Sequence, residues 1–322
     1  MKMNKPTIVI ICAVLAVVLA LVLVLCLPKN GDTPETPDTP ETPVEKTYTL
    51  ALAVENSIGD DTKVSNYVVA LLLDDAGKIV SVRIDCIETT PSVVDGAIAD
   101  VASIISKVEQ GESYGGTAVP DYLQMAAGSF AKQTKAFEDA IVGKTAAEVA
   151  ALDTTLVSGC TMPYSPFSFK AVVAKAFAST NKTTFKTADT VTLGVAADMS
   201  IAEGKITTYY AAAAVVGNKI AANIIDCNEI SFTVANGAAV AGEYNGTKVE
   251  LGENYGGTAV PDYLQMAAGS FAKQTEAFEN ALIGKTAAEV EALDTTLVTG
   301  CTMPYSPFSF KAVVAGAIAN AR

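Results

Sequence analysis

The chain has 322 residues, of which half are apolar, and it carries a formal net charge of −13. This length suits about two domains, and the acidic balance argues against nucleic acid as a partner, since phosphate binding needs a surplus of Lys and Arg. Histidine is absent, which excludes Ser-His-Asp and Cys-His catalysis and removes the commonest metal ligand. Because no carboxylate cluster has metal-ligand spacing either, we predict no metal site and rank a hydrolase or metalloenzyme below other classes.

An uncharged apolar segment, TIVIICAVLAVVLALVLVLCL, occupies residues 7–27. As a helix it would be about 31 Å long at ~1.5 Å per residue, enough to cross a bilayer. Lys2 and Lys5 lie in the short segment 1–6 before it and predict a cytoplasmic N-terminus, with the rest of the chain outside the cell membrane. A cleaved signal, or a lipoprotein signal ending at Cys26, is the alternative. Either alternative leaves the bulk of the chain extracytoplasmic.

Residues 28–46 contain the run GDTPETPDTPETPVEK. Repeated Thr-Pro pairs with acidic residues cannot build a core and favour an extended chain. We therefore predict a Thr/Pro-rich spacer that holds the folded region away from the lipid.

The remainder of the chain contains an internal duplication. Residues 114–174 align with 255–315 at an offset of 141 without a gap, and 55 of the 61 positions are identical. Upstream the identity is lower, but the register persists, for example at Ile84–Cys86 and Ile225–Cys227. Recent copying alone would explain the near-identity without any function. The duplication predicts two like domains, 47–180 and 186–322.

Each copy begins with strand signals. In the first copy, Tyr48–Val54 predicts a strand, and Tyr67–Leu73 with Lys78–Cys86 predicts a β-hairpin around DDAG. In the second copy, the hairpin joins Tyr209–Val216 to Lys219–Cys227 through Gly217-Asn218, a pair suited to a tight turn with positive φ.

Helix signals follow the strands. A stripe of residues from Leu123 to Ile141 at spacings of three and four predicts a helix that runs to about Val142 and ends at Gly143. Thr145 to Glu148 form a capping-box pattern for a short helix. Ser165-Pro166 predicts the start of a last helix, whose inward residues would be Phe169, Val172, Val173 and Ala176. The predicted fold class is α+β, in two tandem copies.

A short motif precedes each last helix: Ser158-Gly159-Cys160-Thr161 in the first copy and Thr299-Gly300-Cys301-Thr302 in the second. The threonine hydroxyl would lie in a tight loop beside a helix N-terminus that begins at Ser165 or Ser306. Such a terminus offers unpaired N–H groups and a positive dipole end, which favour an anionic phosphate. A Ser/Thr-Gly turn before a capped helix is also common without any function.

The motif resembles the S/T-G-A-T/S flavinylation motif of extracytoplasmic FMN-binding domains. The similarity extends to Gly77-Lys78-Ile79, to KVEQGESYG and KVELGENYG (107–115 and 248–256), and to the GKTAAEV stretches at 143–149 and 284–290, in the same order. The chain as a whole is similar to tandem, membrane-anchored flavoproteins of Gram-positive extracellular electron transfer. Where the family motif has Ala, this chain has Cys160 and Cys301.

The resemblance implies that a flavin transferase joins the FMN phosphate to Thr161 and Thr302, and that the flanking motif residues and helix starts form the cofactor site. Tyrosines near these positions could stack on the flavin ring, although they could equally be ordinary half-buried aromatics; they are Tyr114, Tyr164, Tyr255 and Tyr305.

Two cysteines occur in the apolar segment and two in each copy. Outside the cell, Cys86 with Cys160 and Cys227 with Cys301 would each form a disulfide. Each would close a loop of about 75 residues, worth roughly 4 kcal/mol in the chain-entropy estimate. A reactive dithiol that works with the flavin is the alternative, although the chain has no CxxC motif.

From these features we expect an extracytoplasmic electron carrier more than an enzyme with a substrate of its own. FMN would carry the redox chemistry and the protein would supply attachment and orientation, between a membrane redox donor and an extracellular acceptor. The alternative is a cell-surface binding or spacer protein whose duplicated domains hold no cofactor.

Overall fold

The computed structural model describes residues 44–153, 157–160, 169–294, 298–301 and 310–322. The predicted membrane anchor (7–27) and most of the predicted spacer therefore lie outside the described residues. Within the described part of the chain, no helix is long and apolar enough to span a membrane.

The strands form two main antiparallel sheets. Their bounds are β1 (Lys46–Ile58), β2 (Val64–Leu73), β3 (Ile79–Thr89), β4 (Val93–Val94), β5 (Ala97–Ile98), β6 (Val101–Ile104), β7 (Lys182–Thr187), β8 (Val191–Ala202), β9 (Lys205–Val216), β10 (Lys219–Ala235) and β11 (Ala238–Ala241). The first sheet has the order β3-β2-β1-β7, and the second has the order β11-β10-β9-β8-β6. β4 and β5 form a small separate hairpin.

The helices of each copy follow its strands. Their bounds are α1 (Phe130–Ile141), α2 (Ala146–Ala150), α3 (Phe169–Ala178), α4 (Lys248–Leu251), α5 (Phe271–Leu282), α6 (Ala287–Glu291) and α7 (Phe310–Ala319). Short 3-10 turns cover Gly111–Ser113, Asp121–Leu123, Gly252–Asn254 and Asp262–Leu264. Strands followed by helices confirm the α+β class.

The core has three parts: one lies between the two sheets, and the other two lie between each sheet and its helices. The order of layers is therefore helices, sheet, sheet, helices. On β1, Leu50, Leu52 and Val54 face the second sheet, while Ala51 and Ala53 face the helices of the first copy. This split follows from the alternation of side chains along a strand. A second helix layer covers the outer face of the second sheet in the same way. Because both faces of the central strands are buried, their sequences are almost continuously apolar.

The two copies share the core between the sheets, and one strand of the first copy joins the sheet of the second. β7, which follows the last helix of the first copy, pairs with β1, and β6 of the first copy pairs with β8 of the second. At the centre of this shared core, Asn66 donates to Thr208 at 3.1 Å and accepts from Asn228 at 3.1 Å. The contacts group Glu45–Arg322 into one compact unit, where the duplication alone suggested two domains.

Both predicted hairpins are confirmed. β2 pairs with β3 and β9 with β10 in antiparallel register, and Gly217 adopts a φ of +64° in the second turn. The smaller hairpins turn at Asp95-Gly96 and Asn236-Gly237, where all four residues have positive φ. Two consecutive residues with positive φ suit the tight turns that match strand twist.

The predicted helix from Leu123 to Val142 starts too early. α1 begins at Phe130, because Gly128 has a φ of +89° and the Ser129 side chain caps the helix by accepting from Lys132 N. Leu123 lies instead in a 3-10 turn and is 54% exposed. The capping box of α2 is confirmed, with Thr145 and Glu148 each bonding the other's backbone N–H. On α3 the four predicted inward residues are all buried.

Candidate functional site

The first three residues of the motif form the same tight turn in both copies. In the first copy Cys160 N donates to the Val157 carbonyl at 3.2 Å, and both of these residues are buried while Ser158 and Gly159 are exposed. Gly159 has a φ of +79°, and a Cβ at this position would lie 3.2 Å from the Cβ of Ala136 on α1. A left-handed backbone in close contact with α1 therefore favours glycine here.

The second copy repeats this geometry. Cys301 N donates to the Val298 carbonyl at 3.2 Å, Gly300 has a φ of +83°, and a Cβ on Gly300 would lie 3.2 Å from Ala277. Thr299 is exposed, as Ser158 is. The remaining predicted site residues lie outside the described residues; they are Thr161, Tyr164, Ser165, Thr302, Tyr305 and Ser306.

The structure does not form the disulfides expected from the cysteine count. Cys86, Cys160, Cys227 and Cys301 are all buried thiols. Each predicted pair nevertheless belongs to one core, to which both the motif turn and the second strand of the hairpin contribute. Burial raises the pKa of Cys86 and of Cys227 to about 12, which leaves these two thiols protonated and unreactive near neutral pH. They behave as small core residues.

A buried ion pair lies beside this core in each copy and was not predicted. Lys107, whose side chain is 8% exposed, contacts Glu88 at 2.7 Å, and the Tyr114 hydroxyl donates to Glu88 at 2.7 Å. The Lys107 ammonium also lies 4.7 Å from the centre of the Tyr114 ring, a distance typical of a cation–π contact. The edge of Phe130 packs against the same ring. Tyr114 is therefore held by its own neighbours, and flavin stacking on it stays a prediction.

The second copy builds the same cluster. Lys248 contacts Glu229 at 3.0 Å and lies 4.7 Å from the centre of the Tyr255 ring, and the Tyr255 hydroxyl donates to Glu229 at 3.1 Å. The sequence signal that could have revealed the cluster is the recurrence of Glu88, Lys107 and Tyr114 at an offset of 141. A buried Lys–Glu pair kept in both copies indicates a paired charge rather than two surface residues.

Electrostatics keep both members of the pair charged. Burial would raise the pKa of Glu88, but hydrogen bonds from Lys107 and Tyr114 and the charge of Lys107 outweigh it, so the net pKa is lowered. Burial would likewise lower the pKa of Lys107, but the negative charge that Cys86 takes on as a thiolate at high pH and the hydrogen bond to Glu88 raise it. Burial also raises the pKa of Tyr67, on the neighbouring strand, to about 12. Near neutral pH the Glu88 carboxylate therefore pairs with Lys107 and also with Lys63, which contacts it at 3.0 Å.

A buried aspartate ties the segment carrying the lysine to the hairpin. Asp85 accepts from Cys86 N at 2.7 Å, from the Ser106 hydroxyl at 2.6 Å and from Val108 N at 3.1 Å. Asp226 makes the matching bonds to Cys227, Thr247 and Val249. Burial raises the pKa of Asp85 to about 6 and that of Asp226 to about 7. These shared hydrogen bonds explain why the aspartate of the Ile-Asp-Cys segment occurs at the same position in both copies.

Comparisons with known protein families, with curated proteins and with solved structures found no match to this chain.

Proposed function

We propose that this protein is an extracytoplasmic, membrane-anchored electron carrier that binds FMN in each copy. The flavin would be attached through Thr161 and Thr302 by a flavin transferase. FMN supplies the redox chemistry when bound, and the chain supplies attachment and orientation. The electrons would pass from a membrane redox donor to an extracellular acceptor, and the predicted spacer would provide reach.

The observation that carries the proposal is the repeated, solvent-accessible turn that leads into the motif threonine. Val157 and Cys160 anchor the turn in the core while Ser158 and Gly159 remain exposed. An attachment residue needs a fixed position and access to a modifying enzyme, and a turn anchored in this way supports both. In the first copy, Ser158, Gly159 and Cys160 are the described residues that would hold the cofactor's attachment point.

Attachment is tested by coexpressing the full chain with a flavin transferase. We expect flavin fluorescence to remain with the protein after denaturing electrophoresis, and intact mass to show two FMN phosphoryl additions. Thr161→Ala and Thr302→Ala should each remove one addition, and the double variant should remove both. Thr62→Ala, in the exposed β1–β2 turn, is the control and should keep both.

A colourless protein of unmodified mass under these conditions would contradict the proposal. That result would favour the alternative of a cell-surface binding or spacer protein without a cofactor. Loss of flavin in the control variant as well would show that the substitutions act on folding rather than on attachment.

A further inference from the structure

A carboxylate covers the open edge of the hairpin in each copy. Glu138 on α1 accepts from Ile84 N at 2.8 Å, and Glu279 on α5 accepts from Ile225 N at 2.7 Å. β3 and the first part of β10 lie at sheet edges, where backbone N–H groups lack strand partners. The two glutamates are separated by the repeat offset of 141 and make the same backbone contact.

In the first copy, two arginines neutralise this glutamate. Arg322, the C-terminal residue, contacts the Glu138 carboxylate at 2.9 Å, and Arg83 lies 3.6 Å from it. Arg83 also donates to the Arg322 carbonyl. A buried carboxylate beside two guanidinium groups is the arrangement expected when burial must be offset by charge.

In the second copy, both arginine positions are occupied by uncharged residues. At the offset of 141, Arg83 corresponds to Ile224 and Arg322 corresponds to Asn181. The backbone contacts are retained, since Leu52 N donates to the Asn181 carbonyl as Leu193 N donates to the Arg322 carbonyl. Among the described residues, no Lys or Arg forms an ion pair with Glu279, and the charged groups that act on it are the carboxyls of Asp226 and Glu276.

A cavity of about 350 Å³ opens beside Glu279. It lies between β7, β10 and α5 and is lined mainly by polar groups, including Thr180, Lys182, Thr275 and Asn280. Asn223 also lines it, is only 2% exposed, and leaves both its amide oxygen and its amide nitrogen without a hydrogen-bond partner. Such groups are costly unless something binds them. The matching residue of the first copy is Val82, whose side chain has no hydrogen-bonding groups.

We propose that this cavity binds a guanidinium group supplied from outside the chain, with Glu279 as the ionic partner and the Asn223 amide oxygen as a further acceptor. The first copy shows the chemistry within the same protein, because there the chain's own guanidinium groups lie on the equivalent carboxylate. The site is independent of the proposed flavin attachment.

The lining fits a guanidinium better than a metal ion. A guanidinium presents several N–H donors in a plane and pairs well with one carboxylate and neutral oxygen acceptors. Within the described residues, no group of three His, Cys, Asp or Glu side chains is placed to hold a metal. The ligand could be a free small molecule or an arginine side chain of a partner protein, and both carry the same group.

Binding is tested by calorimetric titration of the full-length chain in detergent with ethylguanidinium at pH 9, above the pKa of about 8 to which burial raises the Glu279 carboxyl. We expect one site per chain, and no comparable heat with tetraethylammonium, which carries the charge but has no N–H donors. Agmatine and a capped Gly-Arg-Gly peptide distinguish the sources. Tighter binding of agmatine would indicate a small molecule, and tighter binding of the peptide would indicate a partner protein.

Three substitutions locate the site. Glu279→Gln keeps the shape and should weaken ethylguanidinium binding tenfold or more, and Asn223→Val should weaken it severalfold. Asn181→Arg places a guanidinium where the first copy has Arg322 and should abolish binding. Glu291→Gln, at an exposed position of α6 that does not line the cavity, is the matched control and should change affinity by less than about threefold. Circular dichroism and thermal unfolding of each variant establish that it is folded.

The inference is overturned if ethylguanidinium does not bind at concentrations up to about 10 mM, or if folded Glu279→Gln binds as tightly as the unsubstituted chain. Loss of flavin attachment in the Thr161→Ala/Thr302→Ala variant should leave this titration unchanged, so the two proposals fail separately.

Discussion

Glu138 and Glu279 occupy matching positions but have different electrostatic surroundings. Burial raises the pKa of both carboxyls, but only Glu138 has arginines that oppose the rise. The pKa of Glu279 is raised to about 8, by burial first and then by the charges of Asp226 and Glu276, against the hydrogen bond from Ile225. The two copies therefore differ in the charges that surround this matched pair of glutamates.

The divergence predicts effects of different size when each charge is removed. Because the Glu279 pKa is higher in the folded than in the unfolded state, the folded chain binds more protons between pH ~4.5 and ~8, and stability falls as pH rises through that window. A pKa that differs by one between the folded and unfolded states changes the free energy of unfolding by ~1.4 kcal/mol. We expect Glu279→Gln to raise the free energy of unfolding at pH 9 by at least about 1 kcal/mol, with less gain at pH 5.

Glu138→Gln is the matched comparison and should gain less stability than Glu279→Gln at pH 9, although burial raises the pKa of Glu138 too. It leaves Arg83 and Arg322 without their carboxylate, a loss of about 2 kcal/mol for hydrogen bonds to charged groups. Denaturant unfolding at pH 5 and pH 9 measures both variants. Equal and parallel effects of the two substitutions would contradict the assignment of the arginines as the difference.

Gly194 makes a second residue-scale prediction. A Cβ on Gly194 would lie 1.8 Å from the Ala317 carbonyl oxygen, so α7 packs directly onto the β8 backbone. Gly194→Ala should lower the free energy of unfolding by about 1–3 kcal/mol through overpacking. Gly316→Ala in the same contact meets only the Ala196 Cβ at 3.3 Å, and a gain of about 1 kcal/mol in helix propensity offsets that contact. Urea unfolding of both variants compares them, and a neutral Gly194→Ala would disprove the close approach.

At the scale of elements, the sequence predicted the hairpins well and the start of α1 poorly. Alternating and continuous apolar runs bounded by turn residues define β2, β3, β9 and β10 with little ambiguity. Leu123 and Ala127 happen to continue the helical spacing of α1, but spacing alone cannot show that Gly128 adopts a left-handed conformation. The buried Lys107–Glu88 pair was missed for a similar reason, since charged residues are expected at the surface.

The sign of the stability change caused by Gly128→Ala tests where α1 begins. If the helix extended back to Leu123, Gly128→Ala would stabilise it by about 1 kcal/mol through helix propensity. With Gly128 at a φ of +89°, we expect Gly128→Ala to destabilise the protein by about 1–2 kcal/mol instead. Gly269→Ala in the second copy, at a φ of +91°, should have the same effect. Thermal or urea unfolding measures both variants.

At the scale of the whole molecule, the sequence revealed the duplication but not how the copies combine. β6 and β7 are short and partly polar, and nothing in their composition specifies that β6 joins the sheet of the second copy while β7 returns to β1. The inner apolar faces of β1 and β2 share one core with residues of β8, β9 and β10. The copies therefore depend on each other for their core.

This dependence predicts that one copy does not fold alone. A fragment of residues 44–181 would expose the inner face of its sheet and lose β7, which pairs with β1. We expect it to self-associate or to bind a hydrophobic dye during size-exclusion chromatography and fluorescence assays, whereas residues 44–322 should be monodisperse. A monomeric, cooperatively unfolding 44–181 fragment would contradict the shared core.

The location of that shared core also bears on how the two copies evolve. Among the described residues, none of the core residues between the sheets falls within 114–174 or 255–315, the nearly identical stretches. DNA exchange between the copies could therefore homogenise the outer helical layers repeatedly while each inner face kept the partner to which it is adapted. The sequences of the two outer helical layers can therefore change together without altering the core between the sheets.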